Sequence, residues 1–161
     1  MQFQAVRCPR RRALRCTMSA GRSTHMLKTL VVDDSPTIRR MVIASLREVC
    51  EGGFLEAASG LEAIEQLALG PVALIILDLN MPDMHGLEVL SFVRSHQRYR
   101  SVPIVVLTTR NDNASRAAVL DAGASLYLTK PFAPQALAGE VRALLDHQGA
   151  AKAEAPRSGD V

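Results

Sequence analysis

Residues 71–86 read Pro71-Val72-Ala73-Leu74-Ile75-Ile76-Leu77-Asp78-Leu79-Asn80-Met81-Pro82-Asp83-Met84-His85-Gly86, and this stretch decides the fold. Five of the six residues from Val72 to Leu77 are bulky aliphatics, Ala73 being the exception. An apolar run without polar alternation reads as a central strand covered on both faces, as in a parallel sheet. The run stops at Asp78, and Pro82 and Gly86 break regular structure soon after. A carboxylate at the carboxyl end of a buried parallel strand stands where open α/β sheets place their ligands.

Upstream, residues 27–32 form a β-rich run closed by Asp33-Asp34-Ser35-Pro36. From Thr37 to about Cys50, Ile38, Met41, Val42, Ala44, Leu46 and Val49 recur at helical spacing. Gly52-Gly53 stops that helix, and residues 54–58 make a second strand. Leu61, Ile64, Leu67 and Ala68 give one face of a helix over 61–69, ended by Gly70-Pro71. Downstream, Leu87, Val89, Leu90 and Val93 predict a helix to about Ser95. A strand over 102–107 is closed by Thr108-Thr109. A helix over 113–122 comes next, with Gly123 as its C-cap. Residues 125–129 make a fifth strand followed by Lys130-Pro131-Phe132, and Leu137, Val141, Leu144 and Leu145 stripe a last helix over 134–146. Strands alternating with helices predict a doubly wound parallel sheet, with all strand carboxyl ends along one edge.

The folded domain is thus expected over residues 26–147, and the 161 residues leave room for no second one. Residues 148–161 turn to Gly, Ala, Lys, Glu, Pro and Ser, a composition read as a disordered tail. Residues 1–25 hold six Arg and no acid, whereas residues 26–161 carry 13 basic and 16 acidic residues. The pI of about 9 therefore belongs to the arm, and the mildly acidic domain argues against nucleic acid as its main partner. The arm reads as a disordered extension, or as translation assigned upstream of a start at Met18 or Met26. An organelle leader or a basic binding arm is the other reading. No apolar run approaches the roughly 20 residues of a membrane-spanning helix. Cys8, Cys16 and Cys50 form neither a disulfide framework nor a zinc site, and a reducing cytoplasm is the simplest compartment.

The residues at the strand ends form the chemically informative set: Asp33 and Asp34, Asp78, Thr108, and Lys130. Three carboxylates in one pocket raise one another's pKa unless a cation is present. Mg²⁺ suits such a site, because it takes one or two carboxylates and keeps waters or a phosphate oxygen. Lys130 adds a positive charge and Thr108 a hydroxyl donor, together the clamp that phosphoryl transfer requires. Taken singly, each has a plainer reading: Asp34 or Ser35 as an N-cap before Pro36, Asp78 as a loop acid, Lys130 as a solvated charge, Thr108 as a strand terminus. Contribution from three different strands favours the joint reading.

The order Leu-Val-Val-Asp33-Asp34-Ser35, Ile-Ile-Leu-Asp78-Leu-Asn-Met-Pro-Asp-Met-His-Gly, Val-Leu-Thr108-Thr109 and Tyr127-Leu-Thr-Lys130-Pro131-Phe132 resembles the receiver domain of two-component response regulators. The resemblance covers roughly residues 27–147, and Gly60-Leu-Glu-Ala-Ile resembles the start of the family's second helix. It implies a flavodoxin-like sheet of strand order 2-1-3-4-5 with five helices. Asp78 would be the phosphoacceptor, taking its phosphoryl group from a histidine kinase or a histidine phosphotransfer protein. Asp33, Asp34, Asp78 and the backbone carbonyl of Asn80 would hold Mg²⁺, for which Mn²⁺ can substitute. Thr108 and Lys130 would bind the phosphoryl oxygens, and the Lys130–Pro131 bond would be cis. Tyr127 would be the switch aromatic, turning inward as Thr108 moves toward the phosphoryl group. A downstream effector would dock on the face of the fourth helix, fifth strand and fifth helix.

On this resemblance the chain is a phosphoacceptor switch with its own phosphorylation and autodephosphorylation chemistry, not an enzyme on outside substrates. It would be cytoplasmic, with no membrane partner, and a monomer or a weak phosphorylation-dependent dimer. With no room for an output domain it would signal by docking, motility or chemotaxis being the expected setting, or pass phosphate along a relay. His85 stands where many members carry Asp, while Asn80 and Arg110 occupy variable positions that tune phosphoryl lifetime. Phosphatases of the haloacid dehalogenase class resemble an Asp-x-Asp pattern, which Asp78-Leu79-Asn80 lacks. A phosphorylation-independent docking module and a nucleic-acid binder using the arm are the remaining alternatives.

Overall fold

The computed structural model describes residues 27–109 and 112–153; the basic arm and Arg110 lie outside them. In chain order the elements are β1 (Lys28–Val32), α1 (Pro36–Leu46), β2 (Phe54–Ala57), α2 (Gly60–Leu69), β3 (Val72–Asp78), α3 (Gly86–Ser95), β4 (Ile104–Thr108), α4 (Asn113–Asp121), β5 (Leu126–Thr129) and α5 (Pro134–Ala153). The strands pair in parallel in the order β2-β1-β3-β4-β5. That is the doubly wound, flavodoxin-like topology, with β3 central.

Alternation along the strands sorts the interior into two clusters, one on each face of the sheet. Leu30, Val32, Ile75, Leu77, Ile104 and Val106 pack with residues of α2, α3 and α4. Val31, Leu74, Ile76, Val105 and Leu107 pack with Val42 and Leu46 of α1 and Leu137 and Val141 of α5. Burial on both faces is why β3 carries no polar alternation.

Local chemistry sets the helix boundaries. Ser35 is the N-cap of α1 with Pro36 at N1. The helix ends at Leu46, earlier than the periodicity suggested, because the chain turns there: the Val49 and Cys50 N–H groups both bond the Leu46 carbonyl. Val49 is apolar through packing beside the cluster, not through helix membership. The α4 terminus is a Schellman motif in which the N–H of Gly123 bonds the Leu120 carbonyl and that of Ala124 bonds the Val119 carbonyl. Gly123 adopts φ +102°, a conformation favouring glycine. At the other end of the chain, α5 runs to Ala153 instead of stopping near Asp146, so residues 148–153 are helical where a disordered tail was expected. The added turns are rich in Ala, the residue of highest intrinsic helix propensity. Among the described residues, no helix is long and apolar enough to cross a membrane.

Candidate functional site

Strand register brings the expected residues to one edge. Val32 is level with Leu77, so Asp33 follows β1 beside Asp78. Asp78 is level with Leu107, Thr108 with Thr129, and Lys130 comes next. These ends border an open cleft of about 400 Å³ lined by Asp33, Asp34, Ser35, Ile38, Asp78, Asn80, Thr109, Lys130 and Pro131.

Asp33 and Asp78 are buried and Asp34 is exposed, and the three offer carboxylate oxygens within 4.8 Å of one another. They form a group able to hold a metal ion. Asp33 is fully engaged: its Oδ1 accepts from the Ser35 N–H at 2.9 Å, and its Oδ2 from Lys130 Nζ at 2.5 Å. Asp78 is not. Lys130 Nζ stands 3.3 Å from Asp78 Oδ1, near enough for an ion pair. That oxygen is nevertheless buried with no hydrogen bond of good geometry. Burial pushes the Asp78 carboxyl above the ordinary aspartate range. The Lys130 charge opposes this, the Asp33 charge adds to it, and the Asn80 backbone N–H opposes it again. A buried, under-bonded carboxylate among two others matches the oxygen-rich donor set of a hard divalent cation.

Thr108 and Thr109 divide differently from expectation. Thr108 is fully buried at the end of β4 and does not line the cleft. Thr109 does line it, and its Oγ1 accepts from Asn80 Nδ2 at 3.1 Å. Strand parity is the reason: Thr108 continues the row of Ile104 and Val106 on the α2–α3–α4 face, whereas Asp78 continues that of Leu74 and Ile76 on the α1–α5 face. Tyr127 lies on the same face as Thr108 and is only 7% exposed, so its ring is already inside. It borders a second cleft with Asp112, Asn113 and Arg116 at the start of α4. The Lys130–Pro131 peptide is cis.

The loop between β3 and α3 is closed by Gly86, whose N–H bonds the Leu79 carbonyl at 3.1 Å. Any Cβ there would collide with the Asp78 carbonyl oxygen and stand 2.7 Å from Leu79 Cα. Asp83, in the same loop, accepts from the Gly60 and Leu61 N–H groups at the start of α2, both at 3.4 Å. His85 is the α3 N-cap, its Nδ1 accepting from the Leu87 N–H. Composition had indicated neither Asp83 nor Thr109; both depend on what the topology places beside them.

The chain matches the response regulator receiver domain family over residues 29–142. It belongs to that family. The receiver is 40% identical over 120 residues to chemotaxis protein CheY1 of Helicobacter pylori, covering 74% of this chain and 97% of that protein. It is 41% identical over 112 residues to a chemotaxis protein CheY homologue of Campylobacter jejuni, covering 69% and 86%. Among solved structures it resembles the chemotaxis response regulator CheY4 of Vibrio cholerae, at 35% identity and TM-score 0.68, covering 74% of this chain and 98% of that one. Response regulators of this type act as phosphoacceptors, and their receiver domains interact with kinases and effectors.

Proposed function

We propose that this receiver accepts a phosphoryl group on Asp78 from the phosphohistidine of a kinase or phosphotransfer protein. The observation that carries the reading is the Asp78 carboxylate itself: buried, short of hydrogen bonds, and beside both Lys130 and the Asp33–Asp34 pair. An Asp78 oxygen attacks phosphorus as the phosphorus–nitrogen bond breaks, and the donor histidine keeps the electron pair. Asp33, Asp34 and Asp78, with the Asn80 backbone carbonyl, would hold Mg²⁺, which supplies charge neutralisation at the transferring phosphoryl group. Lys130 is tethered by Asp33 and offers its ammonium to the oxygens that gain charge. The raised proton affinity of Asp78 makes its anion the more basic nucleophile.

The acyl phosphate adds nearly two negative charges beside the buried end of β4. Thr108 ends the neighbouring strand β4, and its movement toward those oxygens would open space next to Tyr127. The inward Tyr127 of this structure is the arrangement that phosphorylation would favour, through a shift between existing populations. The effector surface is the α4–β5–α5 face, and the relatives' names point to chemotaxis signalling as the setting. Water attack on the acyl phosphate would reset the switch, with Asn80 and Thr109 at the cleft wall.

The test is intact-protein mass spectrometry after adding a small-molecule phosphodonor, with and without Mg²⁺, beside Asp78→Ala. A Mg²⁺-dependent phosphoryl adduct absent from the variant is expected. No adduct with several donors, and no binding of beryllium fluoride, would overturn the reading in favour of phosphorylation-independent docking.

A further inference from the structure

Asp33 is held to the edge strand β2 through both of its backbone groups. Its N–H bonds the Ala57 carbonyl directly, at 3.1 Å. Its carbonyl accepts from Arg39 Nη1 at 2.7 Å, and Arg39 Nε donates to Glu56 Oε2 at 2.8 Å. Arg39 lies one turn into α1, and its side chain is 15% exposed, whereas that of Glu56 is half exposed. A guanidinium is planar and forked, so one side chain can serve both partners at fixed angles, which an ammonium cannot do. The corner Asp33-Asp34-Ser35, which delivers two of the three cleft carboxylates, is thereby braced from outside the cleft.

We infer that Arg39 is a positioning residue of the acidic site, its guanidinium fixing the corner of Asp33 and Asp34 by bridging the Asp33 carbonyl to Glu56. The inference rests on the metal-binding part of the proposed function. Removing a group that orients metal ligands without touching the metal typically costs about 10–100-fold in affinity. Arg39 is also a cation in contact with the backbone of the Asp33-Asp34 corner, so its charge and its bridging act in opposite directions on a bound cation. As a mere neighbouring charge it repels a divalent ion, and removing it strengthens binding. As a brace it favours binding, and removing it weakens binding. The two roles predict opposite signs.

The experiment is calorimetric titration of the full chain with MgCl₂, at a temperature where urea unfolding shows each protein to be folded. Arg39→Lys keeps the charge and loses the fork, and about tenfold weaker Mg²⁺ binding is expected, the lower end for such orienting groups. Glu56→Gln, remote from the cleft, is expected to weaken binding by about threefold, a smaller effect because the Glu56 side chain is itself half exposed. Arg39→Ala is expected to weaken binding although it removes a positive charge. Wild-type affinity in Arg39→Lys, or tighter binding in Arg39→Ala, overturns the inference. So does a fall in the urea midpoint of both Arg39→Lys and Glu56→Gln with unchanged affinity, which marks a purely structural bridge. If Arg39→Ala does not fold, Arg39→Lys and Glu56→Gln decide. A wild-type chain that binds no Mg²⁺ fails differently, removing the functional reading and the inference with it.

Discussion

Replacing Asp78 by Asn should stabilise the metal-free protein, although it abolishes the proposed phosphoacceptor. The attraction of Lys130 Nζ at 3.3 Å is worth about 5 kcal/mol at an effective dielectric near 20. Repulsion from each of two carboxylates with oxygens within 4.8 Å is about 3.5 kcal/mol on the same scale, less for the exposed Asp34. These terms nearly cancel. What remains is the cost of withdrawing the Asp78 carboxylate from water, several kcal/mol in real proteins. Asn keeps the shape and can still accept from the Asn80 N–H, so a gain of roughly 1–3 kcal/mol is expected in the absence of metal.

The pH course is set by the direction of the shift. Burial raises the Asp78 pKa, so the folded state binds this proton more tightly than the unfolded chain does. The penalty is absent below about pH 4, accumulates up to the folded-state pKa and is complete above it. The advantage of Asp78→Asn should grow over the same interval. Mg²⁺ should then narrow it, because tenfold excess over Kd stabilises the wild type by about 1.4 kcal/mol. Urea unfolding followed by far-UV circular dichroism, in EDTA and in MgCl₂, measures all of this. An Asn variant less stable than the wild type by more than about 1 kcal/mol in EDTA would refute the reasoning.

Gly86→Ala should cost about 1–3 kcal/mol, since the added Cβ meets backbone on two sides and cannot be relieved by a side-chain rotation; the urea midpoint reports it. Tyr99→Phe should cost about 1 kcal/mol with an unchanged m-value, because the buried Tyr99 hydroxyl donates to the Leu67 carbonyl at 2.9 Å. For Asp83, desolvation raises the carboxyl pKa, but the N–H groups of Met84, Leu61, Asp83 and Gly60 outweigh it and hold it below the ordinary range. Its contribution to stability is present above the unfolded pKa and lost as pH falls through the folded one. Asp83→Asn should therefore lower the melting temperature at neutral pH and match the wild type in acid.

The architecture was legible because central parallel strands need unbroken aliphatic runs, and Val72–Asp78 is one. The proximity of Asp33, Asp78 and Lys130 followed from topology alone, since each ends a strand of one parallel sheet. Depth was not legible. Thr108 and Thr109 are chemically identical neighbours, and only pleat parity decides which is sealed beneath the edge and which lines the cleft. Helix ends were misjudged in opposite directions for one reason: apolar periodicity reports burial, not backbone hydrogen bonding. Thus Val49 suggested helix where the chain had turned, and the Ala-rich end of α5 suggested none where helix continued. The Arg39–Glu56 bridge spans 17 residues and needs β2 beside β1, which no local pattern announces.

The two interior clusters have a consequence for how the molecule tolerates change. Ile75 and Ile76 adjoin in sequence but live in separate compartments, walled off by a hydrogen-bonded sheet. Substitutions placed on opposite sides of the sheet and well separated along it should sum independently, so either chamber can drift while the other keeps its packing. The partition ends only at its rim, where Asp78 closes one row and Thr108 the other. A disturbance at Asp78 meets the far chamber by going over the top, through the single step from one strand terminus to the next.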